Sequence, residues 1–418
     1  MKKQYKITAL IVSLVLMAFA LTSCTLTKSA SSNETTTASS SGESVTGADI
    51  DTLINENDVS VTTDGATAIV LNGNSVQING SGAAADGTTV TVTSGGTYEI
   101  SGTLTDGRII VNADGEEVTL ILNNADITCS YSSAIFVYEA KSATVYLADG
   151  SQNTLSDGSS YSYNDSYSSE ADEEPNACIY SKDDLVIAGS GKLNVNGNLN
   201  NGITSKDTLL IENVTLTVKA VNTGIKGKDD LVIKSGVYNL DCDGDTIHGD
   251  NSTTILDGTF SLTSGDDAIH ADNTLTIQGG TFTITAHEGL EATIIVINGG
   301  KLEINASDDG INAAQKIDGV TPTVKINGGE ITINMGQGDT DGIDANGNIE
   351  INGGMVNVNA QSPFDYDGTG TINGGTVYVN GSQVTSLSNQ FGGGMGGQMP
   401  GGGMQGGQPP QGGRGPRG

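Results

Sequence analysis

The sequence predicts an all-β fold, a right-handed single-stranded parallel β-helix with about 22 residues per coil. Three observations carry this. Ile203, Ile225, Ile247 and Ile269 recur at intervals of 22 residues, and a period of that size marks stacked repeats sharing one core. Within a repeat, apolar and polar residues alternate. The coil Asp267–Glu288 gives Ile269, then Leu275 and Ile277, then Phe282 and Ile284, which reads as three short strands with one buried face each. Corners are marked by Asn298-Gly299-Gly300, Asn327-Gly328-Gly329 and Asn352-Gly353-Gly354, and both residue types tolerate the left-handed backbone of a tight bend. The pattern lacks the long helical stretches of a doubly wound α/β fold and the L-x-x-L-x-L register of leucine-rich repeats. Handedness follows from the general preference of parallel crossovers.

Four segments follow along the chain. Residues 1–23 read as an export signal, with Lys2, Lys3 and Lys6 before the apolar run Thr8–Leu21, which is too short to span a bilayer. Leu21-Thr22-Ser23-Cys24 resembles a bacterial lipobox, which implies cleavage before Cys24, lipidation of its thiol and a membrane contact through that anchor alone. Residues 24–57 form a Ser/Thr-rich tether, 58–388 the solenoid, and 389–418 a Gly/Met/Gln tail with no capacity for a core, expected to be disordered. In the solenoid, Val59–Asn176 keeps the alternation with a weaker period and should hold the first coils and the cap. Ser156–Asn176 reads as a protruding loop. The Leu290 coil is a residue short, and the Ile311 coil carries an insertion around Ala313–Thr321. About a dozen coils would make a rod on the order of 60 Å long. Corner asparagines in matching positions are expected to stack as a hydrogen-bonded ladder.

Acids outnumber bases 49 to 18 and the net charge is −31. Removal of the signal takes three lysines and no acids, moving it to −34. That excludes nucleic acid as a natural partner, because phosphate binding needs Lys and Arg, and it points to cations or to ligands bridged by cations. Cys129, Cys178 and Cys242 are an odd set with no zinc spacing, which favours buried free thiols.

The acids are placed in register. Asp245 and Asp267 stand two places before Ile247 and Ile269, and Glu288-Gly289-Leu290, Asp309-Gly310-Ile311 and Asp341-Gly342-Ile343 continue the row. Neighbouring coils bring such carboxylates to ~5 Å, where a pair repels by about 1 kcal/mol in water and ~3–4 kcal/mol at an effective dielectric near 20. The residues after the Ile positions are Lys226, His248, His270, Asn312 and Asp344, so only the first coil supplies a fixed cation. Calcium suits the row, since it accepts six to eight oxygens in irregular arrangements. Asp243, Asp266, Asp308, Asp339 and Asp344 lie beside it as further ligands. Asp241–Asp245 opens like an EF-hand loop, but Thr246 and Ser252 occupy places that need Gly and a bidentate Glu, and the motif is rejected.

The run Gly95-Gly96-Thr97-Tyr98-Glu99-Ile100-Ser101-Gly102, the Asp-x-Ile coils and the Gly/Met/Gln tail resemble a bacterial, largely clostridial family of carbohydrate-binding β-helix lipoproteins. The resemblance covers roughly Val59–Asn380. It implies a parallel β-helix related to pectate lyases, calcium between coils, and binding of cellulosic or acidic plant cell-wall polysaccharide at the extracellular face of the membrane.

Two other functions stay open at this stage. A pectate-lyase-like reaction would need a base beside calcium, and Lys226 is the candidate; the acids around it raise rather than depress a lysine pKa. No arginine occurs between Arg108 and Arg414, a departure from the lyase pattern, and Lys226 reads better as a salt-bridge partner. The other is a surface rod or adhesin with no saccharide affinity. His248 and His270 are either ligands or charge-balancing imidazoles. With no Trp and 4% aromatic residues, stacking platforms for sugars are few. Tyr161, Tyr163 and Tyr167 in the Ser156–Asn176 loop are the candidate sugar contacts.

Overall fold

The structure is a computed structural model that describes residues 58–336 and 340–389. Among these there is no helix, and short strands pair in parallel from coil to coil. The isoleucine column is continuous. Ile203, Ile225, Ile247 and Ile269 align with Leu290, Ile311, Ile343 and finally Phe364. The same column runs back through Ile179 and Ile135 to Ile109 and Val90. All of these side chains are buried. The weaker period before Asn176 therefore reflects unequal connections between coils that are equivalent in space.

A typical coil comprises Ile247–Gly249, Ser252–Ile255 and Thr259–Ser264. Three separate strands per coil is not universal. In two coils the first and second strands fuse, as Asp267–Ile277 and Glu288–Ile297, and the register slips between Ala271 and Thr274 because the second of these coils is a residue shorter. Tyr238, Phe260 and Phe282 stack inside the rod at centroid separations of 4.6 and 4.4 Å with nearly parallel planes. The ring faces are held at the strand spacing by the backbone ladder.

The expected asparagine ladder is present on the outside. Asn327 Nδ2 donates to Asn298 Oδ1 at 2.8 Å, Asn352 to Asn327 at 2.9 Å and Asn373 to Asn352 at 2.9 Å. The glycines beside it are required by geometry. Gly329 has φ of +93°, and a Cβ there would lie 2.9 Å from the Gly300 carbonyl oxygen, which is sterically closed to other residues.

Antiparallel hairpins close both ends. Thr67–Gly73 pairs with Val76–Asn79 and Ala83–Asp86 with Thr89–Val92 at the start, and Thr376–Val379 with Ser382–Val384 at the finish. Such hairpins cover strand edges that would otherwise template association. Cys129, Cys178 and Cys242 are free and buried, as expected.

The segment between Gln152–Ser156 and Ala177–Ser181 does not protrude freely. Arg108 pairs with Asp165, the Tyr161 hydroxyl donates to Asp157 Oδ2 at 2.6 Å, and the Tyr167 ring meets Tyr138 edge-on at 5.2 Å. Its polar composition resembles a soluble loop; its anchors are single residues that only the folded wall brings into reach.

Candidate functional site

From Ile247 to Ile343 each column residue follows a Gly-containing segment, and the acid two places before it and the residue just after it emerge side by side. Two outward rows result. The acid row is Asp245, Asp267, Glu288, Asp309 and Asp341, with Asp267 paired to Glu288 and Asp341 to Ser362. The neighbouring row is Thr204, Lys226, His248, His270, Glu291, Asn312, Asp344 and Asp365.

The upper part of the pair of rows is charge-compensated. His248 Nδ1 lies 2.6 Å from Asp245 Oδ2, and His270 Nδ1 lies 2.7 Å from Asp267 Oδ2 and 3.0 Å from Glu291 Oε2. The two imidazoles stack with centroids 4.4 Å apart. On their far sides, His248 Nε2 approaches Asp250 at 3.1 Å and His270 Nε2 approaches Asp272 at 3.2 Å. Lys226 reaches Asp250 at 2.7 Å, and Lys316 reaches Glu291 at 2.8 Å. Burial alone would lower His270, but the Asp267 and Glu291 carboxylates outweigh it and lift the imidazole to about 10. His248 is also raised, by Asp245 and Asp250 against its burial. The Asp267 N–H donates to Asp245 Oδ1 at 3.2 Å, so both Asp245 oxygens are engaged.

This corrects the expectation that only the Lys226 coil supplies a cation. His270 carries charge, and Lys316 enters from the insertion after Ile311. Glu291, Asp250, Asp272 and Lys316 are the members that sequence reasoning missed. Glu291 follows Leu290, which the sequence register already aligns with Ile269, so its equivalence to His270 was available there. Asp250 and Asp272 each stand two places after a histidine, a local signal that was available.

The lower coils are different. No base lies within salt-bridge distance of Glu288, Asp309 or Asp344 among the described residues. Burial, then the charges of Asp344, Glu288 and Asp308, pushes the Asp309 carboxyl up to about 7 despite its hydrogen bond from the Asp341 N–H. Asp344 is pushed up to about 6 by burial and by Asp365 and Asp341. Burial also raises Glu288, whose Oε2 accepts from Asn312 Nδ2 at 3.0 Å. Asp308 stands 3.9 Å from His287.

The remaining sequence candidates separate clearly. Asp243 and Asp266 are exposed beside the compensated part of the row. Asp339 and Cys24 lie outside the described residues, as do the signal, the tether and all but Asn389 of the tail. Tyr161 and Tyr167 spend their polar and ring contacts on the wall itself. Tyr163, half-buried, faces a cleft with Leu199 and Asn200.

A parallel β-helix carrying two outward polar rows is a scaffold that presents side chains at fixed spacing along a stack. A family model described as carbohydrate-binding domain-containing protein matches residues 86–340 and 291–386, and the chain belongs to that family. A carbohydrate-binding domain-containing protein of Acetivibrio thermocellus is 42% identical over 132 residues, which are 31% of this chain and 45% of that protein. The chain thus spans less than half the length of that curated relative. A solved structure of a polysaccharide lyase-like protein from C. thermocellum, a gadolinium derivative, aligns over 73% of this chain and 100% of its own with 28% identity and a TM-score of 0.45.

Proposed function

We propose that the chain is a non-catalytic, calcium-dependent binder of plant cell-wall polysaccharide, cellulosic or acidic, displayed at the outer face of the membrane by lipid on Cys24. Family membership supports the carbohydrate ligand. The observation that carries the calcium reading is the uncompensated lower row, Glu288, Asp309 and Asp344. Its half-buried carboxylates resist ionisation, and a hard divalent cation bound among oxygens would relieve that cost. These residues offer only oxygen donors, as does Asp341 in the same row; among the described residues the lower-coil trio whose ligand atoms already converge is Glu288 and Asp308 with His287. Calcium fits poorly at Asp245 and Asp267, where the carboxylates already face imidazoles. Bound calcium would offer open coordination positions to uronate carboxylates and so bridge two negative partners.

The contact of Lys226 with Asp250 supports a salt-bridging role over a catalytic base. The test combines metal analysis of the purified chain with pull-down on insoluble cellulose and titration with polygalacturonate, with calcium and with EDTA. Retained calcium, a melting temperature lowered by EDTA and saccharide binding are expected. A chain that holds no calcium and melts identically in EDTA would remove the cation. Absence of binding to either polysaccharide would favour a plain surface rod, and an unsaturated product abolished by Lys226→Ala would establish a lyase.

A further inference from the structure

A polar groove opens beside the outward rows, just before the histidine coils. It has two lobes that meet at Asn176 and Asn200. One lobe, about 290 Å³, is bordered by Thr204, Asn222 and Lys228 among others. The other, about 460 Å³, is bordered by Tyr163, Glu170, Glu173 and Leu199. Small-molecule sites usually occupy roughly 300–1,000 Å³, so the groove has room for a few sugar rings.

Its electrostatics differ from those of the chain as a whole. Against a net charge of −31, the first lobe sets Lys206, Lys226 and Lys228 beside Asp172, Glu174 and Asp250 and is formally neutral. Two of the lysines are committed in pairs, Lys206 with Glu174 and Lys226 with Asp250. The side-chain amide of Asn200 is half-buried and hydrogen-bonded to no other described residue. An amide offers two N–H donors and a carbonyl acceptor, which matches a pair of adjacent sugar hydroxyls. In the second lobe the Tyr163 ring supplies an apolar face suited to a pyranose. The wall between is built in advance by the anchored segment, where Glu174 is held by both Lys182 and Lys206. Preformed walls lose little conformational freedom on binding.

We infer that this two-lobed groove binds a neutral, hydroxyl-rich glycan segment without calcium, with Asn200 and Tyr163 as its principal contacts. The inference rests on the carbohydrate-binding reading above, adds to it a place and a class of sugar, and restricts its calcium requirement to acidic polysaccharide. Apart from Lys228, a polyuronate would meet lysines already paired, and Glu170 and Glu173 of the second lobe would add to the repulsion of a strongly acidic protein; a neutral glycan escapes that repulsion. Binding in the groove is therefore separate from any cation-bridged binding at the lower acid row.

The test uses the full chain in detergent, titrated calorimetrically with cellohexaose, xylohexaose and an oligogalacturonate, each in calcium and in EDTA. A neutral oligosaccharide should bind equally in both conditions. The double variant Asn200→Ala with Tyr163→Ala should weaken it at least tenfold and leave calcium-dependent oligogalacturonate binding unchanged. Tyr163→Phe, which keeps the ring, should bind as the wild type does, and matching thermal melts establish that the variants fold. The inference is overturned if neither neutral oligosaccharide binds, if binding needs calcium, or if the double variant binds undiminished. Should oligogalacturonate still bind in those cases, the groove alone is wrong; if no glycan binds at all, the carbohydrate-binding function falls with it.

Discussion

Replacing His270 by Gln isolates the charge that the upper coils depend on. The imidazole faces Asp267 at 2.7 Å and Glu291 at 3.0 Å, and both carboxylates are less than a tenth exposed, so solvent screens them little. Glutamine keeps a hydrogen-bond donor and removes the positive charge. Stripping one partner from a buried ion pair costs about 3–5 kcal/mol. Lys316 still serves Glu291 at 2.8 Å, and the Asp267 carboxyl, pushed up to about 7 by burial and by Glu291, can take a proton in place of the lost cation, which places the expected loss near the lower end, about 3 kcal/mol. The sign with pH follows from linkage. His270 is held up to about 10 against an ordinary value of 6.5, so its contribution is complete below pH 6.5 and is lost as pH rises through 10. Urea unfolding of wild type and His270→Gln at pH 6.5 and pH 9.5, followed by circular dichroism, measures both quantities. A gap below about 1 kcal/mol at pH 6.5, or one that does not narrow by pH 9.5, would refute the charged-imidazole account.

Asn327→Ala breaks two rungs of the outer ladder, each worth about 0.5–1.5 kcal/mol; because they are exposed, about 1 kcal/mol in total is expected by urea unfolding, and Asn373→Ala should cost less. Phe260→Ala opens a gap between Tyr238 and Phe282 and should cost about 3–5 kcal/mol, most of it recovered by Phe260→Leu. For Asp309, a carboxyl raised to about 7 means that the folded state holds its proton longer than the unfolded one. Stability of the metal-free chain therefore falls as pH rises from the ordinary carboxylate range through 7. Asp309→Asn should raise the melting temperature in EDTA at pH 8 and shrink the rise produced by calcium; an unchanged melt in EDTA would count against it.

The fold was legible because a β-helix repeats one local pattern, so the 22-residue spacing of Ile203 to Ile269 names both the strand and its neighbour in space. The same property made the acid row legible, since a residue at a fixed offset from Ile stacks on its equivalent. What escaped was what breaks the repeat. The insertion after Ile311 concealed Lys316, and unequal connections concealed the column from Val90 to Ile179. The Ser156–Asn176 segment misled for a different reason. Its polar residues look like those of a free loop, whereas Arg108, Tyr138 and Lys206, which hold it down, come from three different coils.

Stacking at ~5 Å makes every outward position a choice between like charges and compensated ones, and the two halves of this rod resolve it differently. Around His248 and His270 the compensation is internal. Asp245, Asp250, Asp267, Asp272 and Glu291 each meet an imidazole or an ammonium, so a cation has little to gain there. Around Asp309 and Asp344 no described residue supplies such a partner within reach, and the carboxyls hold their protons toward neutrality. The calcium proposed for this row would have to displace protons, so its binding is expected to tighten as pH rises through 7. Neutral-glycan binding in the groove beside Asn200 needs no cation, and Glu174 and Asp250 of the first lobe are paired with lysines, so it should be flat across the same range. A single titration series against pH therefore separates the two surfaces of one rod, because only one of them is built from carboxyls whose ionisation the fold itself opposes.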